Sequence, residues 1–271
     1  MSGFSAEWLA LREPHDAAAR CVSLGAMALD ALTRGCSATP RIDVIDLGAG
    51  TGANLRYVAP LIDAGQTWLL VDNDAELLAA AQRQSRSLPL TCQVQLLALD
   101  LATQLERLPL RPGTLLTAAA LLDLVSAAWL RLLIQRIAAA RAIAWFALTY
   151  DGRIECHPPE PEDAEVRELV NLHQLSDKGF GAALGPGAGR ITQQLLAAHG
   201  YQVHCAPSDW HVPPEDLALQ HALVEGWCQA AIAIAPHRVP TLQGWLTRRR
   251  AHIAAARSEL RVGHVDIVGH P

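Results

Sequence analysis

The chain has 271 residues, of which 51% are hydrophobic and 18% charged, with a formal net charge of −5. That is enough apolar material for one α/β domain with an elaboration, and the acidic balance argues against any general attraction to nucleic acid. No apolar run is long enough to suggest a membrane span, and the opening MSGFSAEWLALREPHD lacks the basic start and apolar stretch of a signal peptide.

Residues 1–40 read as an N-terminal helical cap. A short helix from Ser5 to Arg12 is expected to break near Pro14. Asp16 then caps a longer helix that ends at Gly35, with an apolar stripe of Val22, Leu24, Met27, Ala28 and Leu32. The main domain, 41–271, opens on a short buried strand carrying Ile42, Val44, Ile45 and Leu47. Gly48, Gly50 and Gly52 follow, and a helix runs on toward Pro60. Strand, glycine turn and helix N-terminus form a nucleotide-type cofactor site, because glycines let the backbone approach a ligand. Gly48, Gly50 and Ala53 also satisfy the relaxed dinucleotide pattern. Asp46, just before the turn, suits a cationic amino group better than a pyrophosphate.

The second strand, WLLVDND, ends at Asp72, in the region where ribose-binding acids stand. A helix from Asp74 to Ser87 stops at Pro89, and residues 90–99 form the third strand, followed by Asp100. Residues 114–119 read as a fourth strand with no charge, buried on both faces, which brings Ala119 to the cofactor edge. Asp123 has two readings, a hydrogen bond within the site and, as the expected one, the cap of the helix from Ala127 to Ala140. The fifth strand, 142–150, delivers Tyr150 and Asp151 to the same edge.

A lid-like insertion is expected at about 151–190. It holds a proline-rich loop, a helix from Asp163 to Gln174, then His173, Lys178 and glycines at 179, 181, 185, 187 and 189. A sixth strand near 203 and the C-terminal ELRVGHVDIVGH would form an antiparallel end hairpin. Between them, at about 208–259, lie two helices that fit either a cover over the pocket or a homodimer interface. Trp210 stands at the entrance to this insertion, while Trp227 and Trp245 read as core or interface anchors. Arg248, Arg249, Arg250, Arg257 and Arg261 read as cations near a helix C-terminus. The six cysteines show no C-x-x-C and no metal-binding spacing, so reduced thiols in a cytoplasmic, metal-free protein are expected.

Together, DLGAGTG, VDND and LALDL resemble the class I S-adenosylmethionine (SAM)-dependent methyltransferases. The resemblance implies a seven-stranded, mostly parallel Rossmann-like sheet with an antiparallel last strand and helices on both faces, in keeping with the alternation of strands and helices. It places Asp46, Gly48, Ala49, Gly50 and Gly52 at the methionine part of SAM and Asp72 at the ribose. Asn73 would lie beside the adenine, Asp100 at its amino group, and Leu101 and Ala119 alongside. It also implies that the N-terminal cap closes over the cofactor, with Arg12, His15, Asp16 and Arg20 as contacts to the cofactor carboxylate or the substrate. The implied activity is methyl transfer to an oxygen or nitrogen of a small-molecule acceptor, with no nucleic-acid or membrane partner. Asp151, His173 and Tyr150 are the candidate catalytic groups, and Tyr150, Asp151, His173, Lys178 and Trp210 the candidate substrate contacts. A SAM-binding protein without methyl transfer and an NAD(P)-dependent oxidoreductase are the alternative readings.

Overall fold

The computed structural model describes residues 5–35, 41–89 and 91–271. Cys36 and Leu90 lie outside them, and the five described cysteines are unpaired. The strands are β1 (Arg41–Leu47), β2 (Gly65–Asp72), β3 (Cys92–Ala98), β4 (Leu115–Ala119), β5 (Ile143–His157), β6 (Gln202–Pro207), β7 (Trp210–Val212) and β8 (Glu259–His270). They form one eight-stranded sheet in the order β3-β2-β1-β4-β5-β8-β6, with β7 also on β8. Neighbours from β3 to β5 are parallel, whereas β8 runs antiparallel to β5, β6 and β7. The extra strand is a matter of length. β8 has 12 residues, so β6 pairs with its second half (Pro207 opposite Val265) and β7 with its first (Trp210 opposite Val262).

Helices α2 (Val22–Gly35), α3 (Ala53–Val58) and α4 (Ala75–Gln84) cover one face of the sheet, with Leu32, Leu55 and Leu78 meeting Trp68 and Trp145. Helices α5 (Ala127–Ala140) and α7 (Ala188–Ala198) cover the other through Leu130, Ile134, Ile137 and Leu196. Apolar runs in β1 and β4 fit this sandwich because both of their faces are covered. Among the described residues, no helix is long and apolar enough to cross a membrane.

Three boundaries differ from the sequence reading. First, α1 runs unbroken from Ala6 to Ala19 with Pro14 inside it, and the break falls at Arg20. A proline costs one helical hydrogen bond. Tertiary contacts hold the helix across that gap: Trp8 and Arg12 lie against Trp210, and Glu13 pairs with Arg56. The new chain direction is set by Asp266, whose Oδ2 accepts the Cys21 N–H at 3.0 Å. Asp16 therefore lies within α1 and caps nothing.

Second, β5 continues past Tyr150 to His157, because β8 supplies a partner along its whole length. Its register slips at two places. At the first, Leu148 takes a left-handed φ of 55°, and its N–H donates to Asp266 Oδ1 at 2.9 Å. At the second, Gly152 has φ 93°, and a Cβ there would sit 3.0 Å from Pro186.

Third, the 151–190 segment divides. Its start is strand, α6 (Asp163–Gln174) is packed, and the last glycines are fixed: a Cβ on Gly189 would lie 2.6 Å from Val265 Cγ1. Only residues 175–184 form a loop over the sheet edge, tied at its end where Leu184 N–H donates to Val125 C=O and Gly185 N–H to Asp123 C=O.

The 208–259 insertion builds a third core. Helices α8 (Leu217–Ile234) and α9 (Val239–Ala254) pack with α6 on the outer halves of β5 and β8, burying Trp227 and Trp245. The arginine run is not there for the helix dipole. Arg248 pairs with Glu160 and Glu162, Arg249 with Asp163, Arg250 with Glu225 and Arg261 with Asp209. Most of these acids lie far away in sequence, which is why a one-dimensional reading did not see them.

Candidate functional site

The carboxyl ends of β1, β2 and β4 surround a cleft of about 820 Å³, joined to a side pocket of about 270 Å³ between α1 and α3. The glycine turn forms its floor. Gly48 and Gly50 have φ of 63° and 51°, a region that side chains other than glycine's rarely adopt. Ala49 N–H donates to Val71 C=O, and Gly50 N–H donates to Asp72 Oδ2 at 2.8 Å. Gly52 does not line the cleft. It starts α3 and leaves room for α4, since a Cβ there would meet Ala81 at 3.1 Å.

Asp72 closes the turn from β2, its Oδ1 accepting the Asp74 N–H at 3.0 Å. Asp74 is the acid that caps α4, through Glu76 N–H and Leu77 N–H. Asp72 is thus spared the capping role and faces the cleft beside Asn73. At the far end, Asp100 accepts from Ala102 N–H and Thr103 Oγ1, so it orders its own turn while also lining the cleft next to Leu101. Trp129 Nε1 donates to Leu101 C=O at 2.6 Å and fixes that wall. Ala119 lies where cleft and side pocket meet.

The least expected arrangement surrounds Asp46. Its side chain is 1% exposed, and Asn54 Nδ2 donates to its Oδ1 at 2.7 Å, while Oδ2 has no partner. Burial pushes its pKa up to about 7, against the Asn54 hydrogen bond and the Arg20 charge. Asn54 also donates to Thr117 Oγ1, and its Oδ1 accepts from Arg20 Nη1 at 2.9 Å. The Arg20 guanidinium is held between the rings of Tyr57 (4.6 Å) and Trp145 (5.1 Å), and its Nε and Nη2 have no hydrogen-bond partner. Burial lowers its pKa, offset first by Asp266, whose Oδ2 lies 3.7 Å from Nε. A buried line Asp46–Asn54–Arg20 therefore runs from the cleft to the adjoining pocket, with a carboxylate oxygen at one end and two guanidinium nitrogens at the other that make no hydrogen bond, the guanidinium facing Asp266. Arg20 was among the sequence candidates. Asn54, Thr117 and Asp266 were not, although an acid inside the apolar run VDIVG is itself a signal of a buried partner.

Of the predicted acceptor contacts, Lys178 lines the cleft, whereas Tyr150, Asp151, His173 and Trp210 stand behind its wall. Tyr150 OH donates to Asn171 Oδ1 at 2.7 Å, and Asp151 is bound by Arg153. His173 Nδ1 lies 3.4 Å from the Lys178 ammonium. Trp210 Nε1 donates to Asp16 Oδ1 at 3.0 Å, with Arg12 over its ring. Tyr150 and Asp151 fall short of the cleft because β5 does not end at them. His15 lies 3.3 Å from Asp216 and also sits outside the cleft. Asp123 differs from expectation in the other direction. Ser126 caps α5, while Asp123 is buried with its Oδ1 unpartnered, and burial raises its pKa to about 6 against the nearby Arg12 and Lys178 charges.

No protein-family model and no curated protein sequence matches the chain. Among solved structures, the cyclopropane-fatty-acyl-phospholipid synthase-like protein from Lactobacillus casei is 13% identical, over 98% of this chain and 94% of that one, with a TM-score of 0.53. Mycolic acid cyclopropane synthase CmaA1, complexed with SAH and CTAB, is 12% identical over 92% and 84%, at 0.49. The YcgJ protein from Bacillus subtilis is 14% identical over 92% and 97%, at 0.48. The strand order with its reversed β8, the glycine turn after β1 and the likeness to the first of these define a Rossmann-like α/β fold shared with that protein.

Proposed function

We propose that this chain binds SAM and catalyses transfer of its methyl group to a small-molecule acceptor. The observation that carries the reading is the Asp46–Asn54–Arg20 line. An Asp46 oxygen without a partner and, across one asparagine, Arg20 N–H groups that face Asp266 without hydrogen-bonding to it complement the ammonium and carboxylate of an amino acid. A nicotinamide dinucleotide has no such zwitterion, and its pyrophosphate would face Asp46. Unpaired buried polar atoms are costly, so a ligand that satisfies both ends gains from each.

When bound, SAM supplies a methyl already activated on a sulfonium. Asp46 would hold the amino group, Arg20 the carboxylate and Asp72 the ribose hydroxyls, fixing the cofactor for an in-line displacement. Ala119, Ala120 and Leu121 provide a stretch of wall of low polarity. Ala120 is held at φ 52° by its N–H bond to Ala147 C=O, so the wall is shaped by a strained backbone.

Calorimetric titration with SAM, S-adenosylhomocysteine (SAH), adenosine and NAD tests this reading. SAM and SAH should bind more tightly than NAD. In Arg20→Met, SAH affinity should fall by about tenfold or more, the loss of one or two charged hydrogen bonds, while adenosine binds unchanged. Tighter binding of NAD than of SAM would instead move the reading to hydride chemistry.

A pH dependence follows from Asp46. An ammonium beside its Oδ2 favours the ionised form, so below about pH 7 binding must displace a proton. SAM affinity should rise by about tenfold between pH 5.5 and 7, and Asp46→Asn should flatten that slope. The unliganded chain should behave oppositely. Between the ordinary value of 3.8 and about 7 the folded protein keeps a proton that the unfolded chain has lost. This contribution to stability is complete below 3.8 and is lost as the pH rises through about 7. A SAM affinity indifferent to pH would contradict the placement of the amino group.

A further inference from the structure

Charges of both signs line the cleft. Asp46, Asp72 and Asp100 line the part assigned above to SAM, while two cations, Arg12 and Lys178, line it beside Asp16 and Asp177. The two cations are not equivalent. Arg12 is neutralised by Asp16, its Nε and Nη2 donating to the two carboxylate oxygens at 2.9 and 3.1 Å. The Lys178 ammonium donates to His173 C=O at 3.1 Å and Ser176 Oγ at 2.9 Å, with His173 Nδ1 at 3.4 Å. None of these partners is an anion.

Among the described residues, the acids nearest to Lys178 form no ion pair with it. The neighbouring Asp177 accepts Gly179 N–H and Gly181 N–H on one oxygen, which folds it onto its own loop. Asp123 is buried behind the wall, close enough for its charge to be felt but without a hydrogen bond to the lysine. Burial lowers the Lys178 pKa and the Asp123 charge only partly offsets this, as expected of an ammonium without a paired counterion. Beside it the cleft is apolar, lined by Leu121, Leu124 and Phe180, with Phe180 set edge-on against Trp129 at 5.3 Å. The bonds to His173 C=O and Ser176 Oγ hold the ammonium at the C-terminal end of α6.

We propose that the methyl acceptor carries an anionic group, a carboxylate or a phosphate, seated on Lys178, with its apolar body against Leu121, Leu124 and Phe180. This rests on the methyl-transfer reading and deepens it. Lys178 is a specificity-determining residue. Its site selects acceptors by charge, and an uncharged analogue leaves the ammonium without a counterion.

The test uses the full chain saturated with SAH, titrated calorimetrically with 4-hydroxybenzoate, phenyl phosphate and the neutral methyl ester of 4-hydroxybenzoate. At least one anion should bind about tenfold more tightly than the ester, the size expected for one charge-assisted hydrogen bond, and whichever does so identifies carboxylate or phosphate. Lys178→Gln should erase the difference, Lys178→Arg should keep it, and SAH affinity should stay within about twofold. The proposal is overturned if the ester binds as well as both anions, if neither anion binds, or if the preference survives in Lys178→Gln. It is also overturned if Lys178→Gln weakens SAH itself, which would assign the lysine to the cofactor. Failure of the wild-type chain to bind SAH would instead overturn the cofactor reading, and that is measured first.

Discussion

Asp72→Ala is expected to weaken SAM binding by about a hundredfold or more. Two ribose hydroxyls donating to a carboxylate account for about 3 kcal/mol or more, and each 1.4 kcal/mol is a factor of ten. The side chain also accepts Gly50 N–H and Asp74 N–H, so the variant loosens the glycine turn that forms the floor of the cleft. The two contributions separate in one experiment. Loss of the turn's support would show as a lower unfolding temperature of the unliganded protein, and loss of ribose contacts as weaker binding of adenosine as well as SAM. A variant whose SAM affinity lies within threefold of the wild type would place the ribose elsewhere. NAD sites use an acid at the same strand end, so this variant locates the site and Arg20→Met identifies the ligand.

The second large effect is structural. Arg249 is fully buried on α9; it pairs with Asp163 and donates to Pro158 C=O, while Trp245 Nε1 donates to the same Asp163. Removing one member of a buried pair leaves the other charge poorly solvated and costs about 3–5 kcal/mol. The Asp163 side chain keeps 21% of its exposure and retains the Trp245 and Glu160 N–H bonds, so Arg249→Met should cost about 3 kcal/mol, the lower end of that range. The adjacent Arg250, 50% exposed and paired with Glu225, gives the control: Arg250→Met should cost under about 1 kcal/mol. Urea unfolding of both variants decides it. Equal midpoints would mean that the Arg249 pair contributes no more than a surface contact.

These predictions lie at opposite ends of the chain's division of labour. The parallel half of the sheet holds the cleft, and the reversed β8 extends the sheet beyond it. On that extension the third core stands, formed by α6, α8 and α9, and none of the residues of α8 or α9 lines the cleft. The two helices are therefore not a cover over the pocket. They back α6, which packs on β5, whose irregular stretch at Leu148 and Gly152 stands behind the cleft.

Much was legible in the residues alone because it depends on neighbours in sequence. Glycines at 48 and 50 are needed where the backbone turns with positive φ, and an apolar run of strand length must be covered on both faces. With Asp46 and Asp72 at strand ends, these features determine the sheet and the location of the cleft. What tertiary structure decided is which polar groups meet. Arg20 reaches Asn54 across 34 positions, and Asp266 reaches Cys21 across 245, and no periodicity records either distance. Hydrophobic spacing tells which face of an element turns inward, but not which partner it meets there. Tyr150 and Asp151 stand at a strand end in the sequence, and the pairing of β5 with β8 carries the strand past them; His173 stands at a helix end, and α6 packs in the third core outside the cleft lining. Asp123 was assigned to a helix end and was buried instead, because burying a polar side chain is settled by the groups that surround it in space.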